Sequence, residues 1–165
     1  MPVLSANAFD FFSHSPEQTR RLGMRLGAYL QVGDVVCLQG ELGTGKTTFV
    51  QGLAAGWGTL DAVSSPTFVL VNDYRRTDGG HLYHFDTYRV ESAPEAEELD
   101  LDSMLNSGSL VIEWPERLES LLPPERLWIK LAYVDEDRRE LTFLPAGKRY
   151  ITLLNDFRTS SFGAG

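Results

Sequence analysis

The chain has 165 residues, of which 42% are hydrophobic and 23% are charged, and this composition is typical of one globular domain with a core of its own. A large multidomain enzyme, a collagen-like fibre and a largely disordered chain are excluded. Fifteen lysine and arginine residues against 23 aspartate and glutamate residues give a net charge of -8. This charge disfavours a broad surface for duplex DNA or RNA, because such a surface neutralises phosphates with many cations.

The single cysteine and the lack of long apolar runs indicate where the protein works. Cys37 lies in an apolar run, and one cysteine can form neither an intrachain disulfide nor a cysteine metal cage. No apolar stretch approaches the roughly 18 to 20 residues that span a bilayer. Residues 1–5 lack the basic and apolar regions of a secretory signal. We therefore expect a cytoplasmic protein that does not bind a membrane.

The first third of the chain predicts a helix, a buried strand, a glycine-rich loop and a second helix. Ser15 has the features of a helix N-cap and Pro16 those of the first helical residue, and apolar residues at helical spacing extend this helix to about Leu30. The β-branched apolar run over 35–39 is typical of a buried parallel strand. After the glycine-rich loop, residues 47–55 favour a second helix.

The remainder predicts a hairpin, one more helix and further strands. Strands over 68–74 and 81–85 flank a turn that ends Asp-Gly-Gly, which is a strong hairpin signal. A glutamate-rich helix is expected to begin at Ser92. The apolar strand 110–112 ends on an acid, Glu113. Two more strands are predicted over 127–133 and 140–144.

A phosphate-binding loop is the most specific motif. Residues 40–47 match the pattern G-x-x-x-x-G-K-[ST] between a predicted strand and a predicted helix, which is the context that this pattern requires. Glycines let the backbone wrap a phosphate group, and amides at the helix start direct positive dipoles at it. Lys46 then lies between the β- and γ-phosphates, and the Thr47 hydroxyl binds Mg²⁺. The alternative is a simple glycine turn with a solvated lysine.

These elements predict a single α/β domain of the P-loop NTPase-like class, with a mixed, partly antiparallel central sheet flanked by helices. We assign this ATPase domain to residues 1–147. Residues 148–165 form a C-terminal extension or tail of unknown role, and the Ser- and Gly-rich composition of the last ten residues indicates a loose tail.

Two acids follow predicted strands and are candidates for the same site. Glu113 ends the strand 110–112, and Asp86 ends the strand before it. Carboxylates at the ends of neighbouring strands can hold Mg²⁺ or its waters and orient an attacking water. The alternative for each is an acid that caps a helix or forms a salt bridge.

His81 and His84 lie three residues apart and so face opposite sides of a strand, which means that they cannot bind one metal ion together. We interpret both as packing or hydrogen-bonding residues. Trp114 is equally compatible with a wedge behind Glu113 and a role at the substrate or partner surface.

Four segments together resemble the TsaE (YjeE) family, the small ATPases of bacterial tRNA threonylcarbamoyladenosine synthesis. The likeness extends over roughly residues 15–144. It departs from the family pattern at Thr44, where alanine or serine is usual, and at Val90, where leucine is usual. The four segments are GELGTGKTT (40–48), VSSPTF (63–68), HFDTYR (84–89) and IEWP (112–115).

The resemblance implies an ATPase that binds the TsaB-TsaD complex and resets it by hydrolysing ATP to ADP. The product of that pathway is the threonylcarbamoyl group on adenosine 37 of tRNAs that read codons beginning with A. TsaD transfers the group, so tRNA is contacted only indirectly, through the complex.

The resemblance also assigns roles to residues. Lys46, Asp86 and Glu113 are the catalytic residues, and Thr47 and Glu113 bind Mg²⁺; whether Asp86 is a direct ligand or orients water stays open. Thr19 and Arg139 are expected to approach the nucleotide, with Arg138 as the alternative to Arg139. Residues 65–67 resemble a switch-like loop near the γ-phosphate. The phosphate-binding residues are Leu42, Gly43, Thr44, Gly45, Lys46 and Thr47.

Two functions from other classes share the phosphate-binding loop. A small P-loop kinase that phosphorylates a metabolite would use the same cradle and metal chemistry, but it normally needs an arginine-bearing lid and an acceptor pocket. A nucleotide-gated binding module would act by assembly alone, with negligible hydrolysis.

Overall fold

A seven-stranded mixed sheet lies at the centre of the residues that the computed structural model describes, which are 7–63, 71–87 and 100–162. The strand order is β1-β7-β6-β2-β5-β4-β3. Strand β2 is parallel to β5 and β6, and β4 is parallel to β5, whereas β3, β7 and β1 pair antiparallel with β4, β6 and β7. The predicted mixed sheet and its hairpin are therefore confirmed. The strands are β1 (Phe9–Ser13), β2 (Val35–Gln39), β3 (Val71–Arg75), β4 (His81–Asp86), β5 (Gly108–Glu113), β6 (Arg126–Tyr133) and β7 (Arg139–Ala146).

Helices cover both faces of this sheet. The α-helices among the described residues are α1 (Pro16–Gly27), α2 (Lys46–Trp57), α3 (Leu101–Ser107) and α4 (Lys148–Phe162). The Ser15 side chain accepts a hydrogen bond from the Gln18 amide, so the predicted N-cap of α1 is confirmed. The predicted helix start at Ser92 lies outside the described residues. Within the part of the chain that the structure describes, no helix is both long and apolar enough to cross a bilayer.

The core lies on both sides of β2, whose side chains alternate between the two faces. Val36 and Leu38 pack in a large cluster with α1, α2 and α4. Val35 and Cys37 pack in a smaller cluster with α3 and the residues that follow β5. Burial raises the pKa of the Cys37 thiol to about 12, which supports the interpretation of this cysteine as an inert core residue.

The expected loose tail at the C-terminus is wrong for the described part of that segment. Residues 148–162 form α4, and the side chains of Leu153, Leu154 and Phe157 are at most 1% exposed in the same cluster as α2. These residues and Tyr150 recur at helical spacing, so one face of the helix is apolar despite the Ser- and Gly-rich end.

Glycines let α1 and α2 pack with their backbones in close approach. A Cβ atom at Gly52 would lie 1.9 Å from the Arg20 carbonyl oxygen, and one at Gly56 would lie 1.9 Å from that of Met24. Gly23 and Gly27 on α1 meet the backbone of α2 in the same way. This contact fixes α1 against the helix that follows the phosphate-binding loop.

Gly52→Ala is expected to destabilise the protein by about 1–3 kcal/mol, because the new methyl group overpacks a helix contact that cannot yield without a backbone shift. Helix propensity alone would favour alanine over glycine, so a loss of stability would come from the packing. Urea unfolding measures the change. Gln51→Ala, at the neighbouring position of α2, is the control and should leave stability nearly unchanged. Equal or greater stability of Gly52→Ala would contradict the close packing.

Candidate functional site

The predicted phosphate-binding loop connects β2 to α2 at the carboxyl ends of the parallel strands. Gly43 and Gly45 have φ of 81° and 99°, a left-handed conformation that favours glycine. Gly45 is the N-cap of α2 and has no side-chain oxygen that could cap the first turn, and a helix N-terminus of this kind favours an anionic ligand. The Thr44 hydroxyl donates to the Glu41 carbonyl at 2.8 Å, a bond within the loop that a serine hydroxyl can also make and alanine cannot.

Lys46 is held inside this loop. Its ammonium group donates to the main-chain carbonyls of Gly40 and Glu41 and lies 4.2 Å from the centroid of the Trp114 ring. The residue is only 5% exposed. Burial lowers the pKa of Lys46, while the nearby carboxylates of Glu113 and Asp86 oppose that shift. A weakly hydrated cation at this position is suited to phosphate oxygens.

The two predicted acids meet at the same edge of the sheet. Asp86 and Glu113 are register partners at the ends of β4 and β5. The Thr47 hydroxyl donates to Glu113 Oε1 at 3.5 Å. Both acids line one open cleft of about 320 Å³ together with the phosphate-binding loop. The cleft is lined by Leu42, Gly43, Gly45, Lys46, Thr47, Thr48, Asp86, Glu113 and Trp114.

Oxygen donors in this cleft fit Mg²⁺. The ion prefers hard oxygen ligands and usually takes one or two from the protein, with phosphate and water completing its shell. The Thr47 hydroxyl and the Glu113 carboxylate are adjacent to each other, and Asp86 lies on the neighbouring strand. The fold thus brings the predicted metal ligands close together, and their roles stay predictions.

Buried side chains surround Glu113. Its Oε2 lies 2.6 Å from Nε2 of His84, whose Nδ1 lies 2.9 Å from the Tyr74 hydroxyl. The Thr87 hydroxyl donates to the Glu113 carbonyl at 2.8 Å. His84 is therefore a hydrogen-bonding histidine, as expected, whereas His81 pairs with Asp73 at the surface. The partnership of His84 with the site acid is not a sequence prediction, because only strand register brings the two residues together.

Trp114 has the single positive φ of a non-glycine residue within the described ranges, at 61°. Its amide donates to the Leu38 carbonyl at 3.3 Å, and the residue after it is Pro115, which begins a short 3-10 turn. This backbone conformation directs the indole into the cleft, where it covers Lys46. Of the two interpretations of Trp114, the structure favours the one at the ligand surface.

Thr19 and Arg139 lie on the other side of the phosphate-binding loop. Both line a second cavity of about 140 Å³, which shares Gly43, Gly45 and Thr48 with the main cleft. Arg139 donates to the Gly43 carbonyl at 3.2 Å.

The structure separates the two candidate arginines. Arg138 pairs with Asp135 at 2.7 Å in the exposed β6–β7 turn, so it is Arg139 that faces the loop. The proposed switch-like loop at 65–67 and Val90 lie outside the described residues.

Comparisons with known proteins identify the family. The profile described as "TsaE: Threonylcarbamoyl adenosine biosynthesis protein TsaE" matches residues 13–141. The chain belongs to the TsaE family. It is 41% identical to the Bacillus subtilis protein named tRNA threonylcarbamoyladenosine biosynthesis protein TsaE, over 86% of this chain and 89% of that protein. A Streptomyces coelicolor protein of the same name is 40% identical, over 81% of this chain and 94% of the relative.

The fold of this TsaE-family chain has a solved counterpart. The crystal structure of Bacillus subtilis YdiB superimposes with a TM-score of 0.78 at 32% identity and covers 97% of this chain and 99% of that one. The predicted P-loop NTPase-like class is therefore confirmed. The match includes α4, which is part of the region that sequence alone left without a role.

Proposed function

We propose that this chain is the ATP-binding and ATP-hydrolysing component of tRNA threonylcarbamoyladenosine formation. The observation that carries the proposal is the meeting of Lys46, Thr47, Asp86 and Glu113 in one cleft beneath a glycine loop. Membership of the TsaE family and the names of its relatives support the pathway.

The chain's own residues supply each part of the chemistry. The loop amides and Lys46 bind the β- and γ-phosphates of ATP. Thr47 and Glu113 would hold Mg²⁺, which when bound neutralises charge on the phosphates. Asp86 orients the attacking water or a water of the metal shell. Thr19 and Arg139 contact the nucleoside side of ATP, because they line the cavity next to the loop. ADP and phosphate are the products.

The partner in this proposal is the TsaB-TsaD complex in the cytoplasm. ATP hydrolysis resets that complex between rounds of modification of adenosine 37. The net charge of -8 supports contact with tRNA through the complex rather than directly, because a direct RNA surface needs many cations.

Phosphate release from ATP tests the proposal. The purified chain is expected to hydrolyse ATP slowly alone, because P-loop proteins often depend on an arginine supplied in trans. Addition of cognate TsaB and TsaD should raise the rate strongly, and the same mixture should modify more than one tRNA per complex. Lys46→Ala in that mixture is the control.

Two other outcomes would redirect the assignment. No rise and no binding of either partner would favour the small P-loop kinase, and a substrate screen would follow. Partner binding that requires ATP but proceeds without phosphate release would favour the nucleotide-gated binding module.

A further inference from the structure

A chain of hydrogen bonds crosses one face of the sheet and ends at the cleft. Tyr74, His84 and Glu113 lie on the successive strands β3, β4 and β5. Asn72 pairs with His84, and His84 pairs with Val111. Tyr74 and Glu113 each lie two residues further along their strands, so both are diagonal neighbours of His84 on the same face of the sheet. Tyr74 and Glu113 are each 3% exposed and His84 is fully buried.

The carboxylate at the end of this chain sets the direction of its hydrogen bonds. A carboxylate oxygen only accepts, so the neutral His84 ring carries its proton on Nε2, and Nδ1 then accepts from the Tyr74 hydroxyl at 2.9 Å. That N–H lies 2.6 Å from Glu113 Oε2 and can donate to the carboxylate. The opposite tautomer would set a nitrogen lone pair against the carboxylate oxygen.

We propose that Tyr74 and His84 are positioning residues for Glu113. The hydrogen bond with His84 uses Oε2 of Glu113, so Oε1 is the oxygen that faces Thr47 and the phosphate cleft. Tyr74 fixes the tautomer and the ring orientation of His84, as outer partners do for histidines at metal sites. This inference rests on the proposed function, in which Glu113 serves Mg²⁺ and ATP hydrolysis.

The strands that carry His84 and Tyr74 also offer matched controls. Tyr74→Phe removes only the hydroxyl, and Tyr83→Phe removes one that bonds Ser107 instead, at 2.8 Å. His84→Gln keeps an N–H near the Nε2 position, and His84→Leu keeps none. His81→Gln is the control for the histidine variants, because His81 pairs with Asp73 away from the cleft.

Nuclear magnetic resonance measures the tautomer directly, without nucleotide or metal. The chain has three histidines, so long-range ¹H–¹⁵N spectra of protein labelled at histidine contain three ring systems, and His84→Gln identifies the signals of His84. We expect His84 to carry its proton on Nε2. A proton on Nδ1 alone would overturn the proposal.

Kinetics separate positioning from a structural role. Tyr74→Phe and His84→Leu are expected to lower kcat by about 10- to 100-fold, with His84→Gln retaining more activity than His84→Leu. The KM for ATP and the affinity for ADP without Mg²⁺ should stay near those of the wild-type protein. In a Glu113→Gln background, Tyr74→Phe should cost little more, because the carboxylate that it positions is already gone.

The remaining outcomes either reject the positioning role or separate it from the proposed function. Unchanged kcat in Tyr74→Phe, fully additive losses with Glu113→Gln, or an equal loss of metal-free ADP affinity would each reject positioning. If the wild-type chain hydrolyses no ATP even with its partners, the proposed function fails. The tautomer and the gain in ADP affinity on adding Mg²⁺, compared between Tyr74→Phe and Tyr83→Phe, still decide whether the pair positions Glu113.

Discussion

Lys46→Ala is expected to lower ATP turnover by at least about a hundredfold and to abolish tight nucleotide binding. The ammonium group of Lys46 is the cation held among the loop carbonyls and covered by Trp114. Little water reaches this position, so attraction to phosphate is weakly screened and its loss is costly. Calorimetric titration with ADP and ATP measures binding, and phosphate release measures turnover.

Lys130→Ala is the matched control for this experiment. Lys130 is an exposed lysine on β6 at the same end of the sheet, and it lines a separate cavity beside Gly40 and Glu41. Its loss changes the net charge equally and should leave nucleotide binding close to wild-type. Lys46→Ala also removes two bonds to the loop, so thermal unfolding must show that the variant is folded. A folded Lys46→Ala protein with full turnover would refute the phosphate-binding role of the loop.

The sequence contained most of the site because a linear motif encodes it. Glycines at 43 and 45 are needed for backbone with positive φ, and the helix start and Lys46 follow them directly. Asp86 and Glu113 were predictable as acids that follow apolar strands. Parallel pairing of β4 with β5 then places them side by side. The acid positions thus came from strand ends alone, with no knowledge of strand order.

Long-range pairing explains what could not be predicted. The bonds from Tyr74 to His84 and from His84 to Glu113 join three strands separated by turns and loops, and no local pattern identifies them. Strand β1 is five residues long and forms by antiparallel pairing with β7, more than 120 residues away along the chain. Helix α4 was obscured because polar composition outweighed apolar spacing in its last turns.

Glu113→Gln is expected to lower ATP hydrolysis by roughly ten- to a thousandfold, while ADP affinity without Mg²⁺ changes little. Glutamine keeps the size of the side chain and can still accept a hydrogen bond from His84, so the fold should persist. It removes the negative charge next to Thr47, which is the charge that a divalent cation needs. The gain in nucleotide affinity on adding Mg²⁺ should therefore shrink together with kcat.

Asp86→Asn, measured beside it, separates the roles of the two acids. If Asp86 orients the attacking water, its loss lowers kcat and leaves the Mg²⁺-dependent gain in affinity intact; if it is a metal ligand, both fall as in Glu113→Gln. Glu125→Gln removes the same charge from an exposed residue that directly precedes β6, at the opposite end of the sheet from the phosphate-binding loop, and should change neither quantity. Wild-type rates in both Glu113→Gln and Asp86→Asn would leave the two acids with a structural role only. Asp86 and Glu113 are register partners, so a strong effect at Glu113 with none at Asp86 would show that hydrolysis depends on Glu113 and that a neighbouring carboxylate alone is not enough.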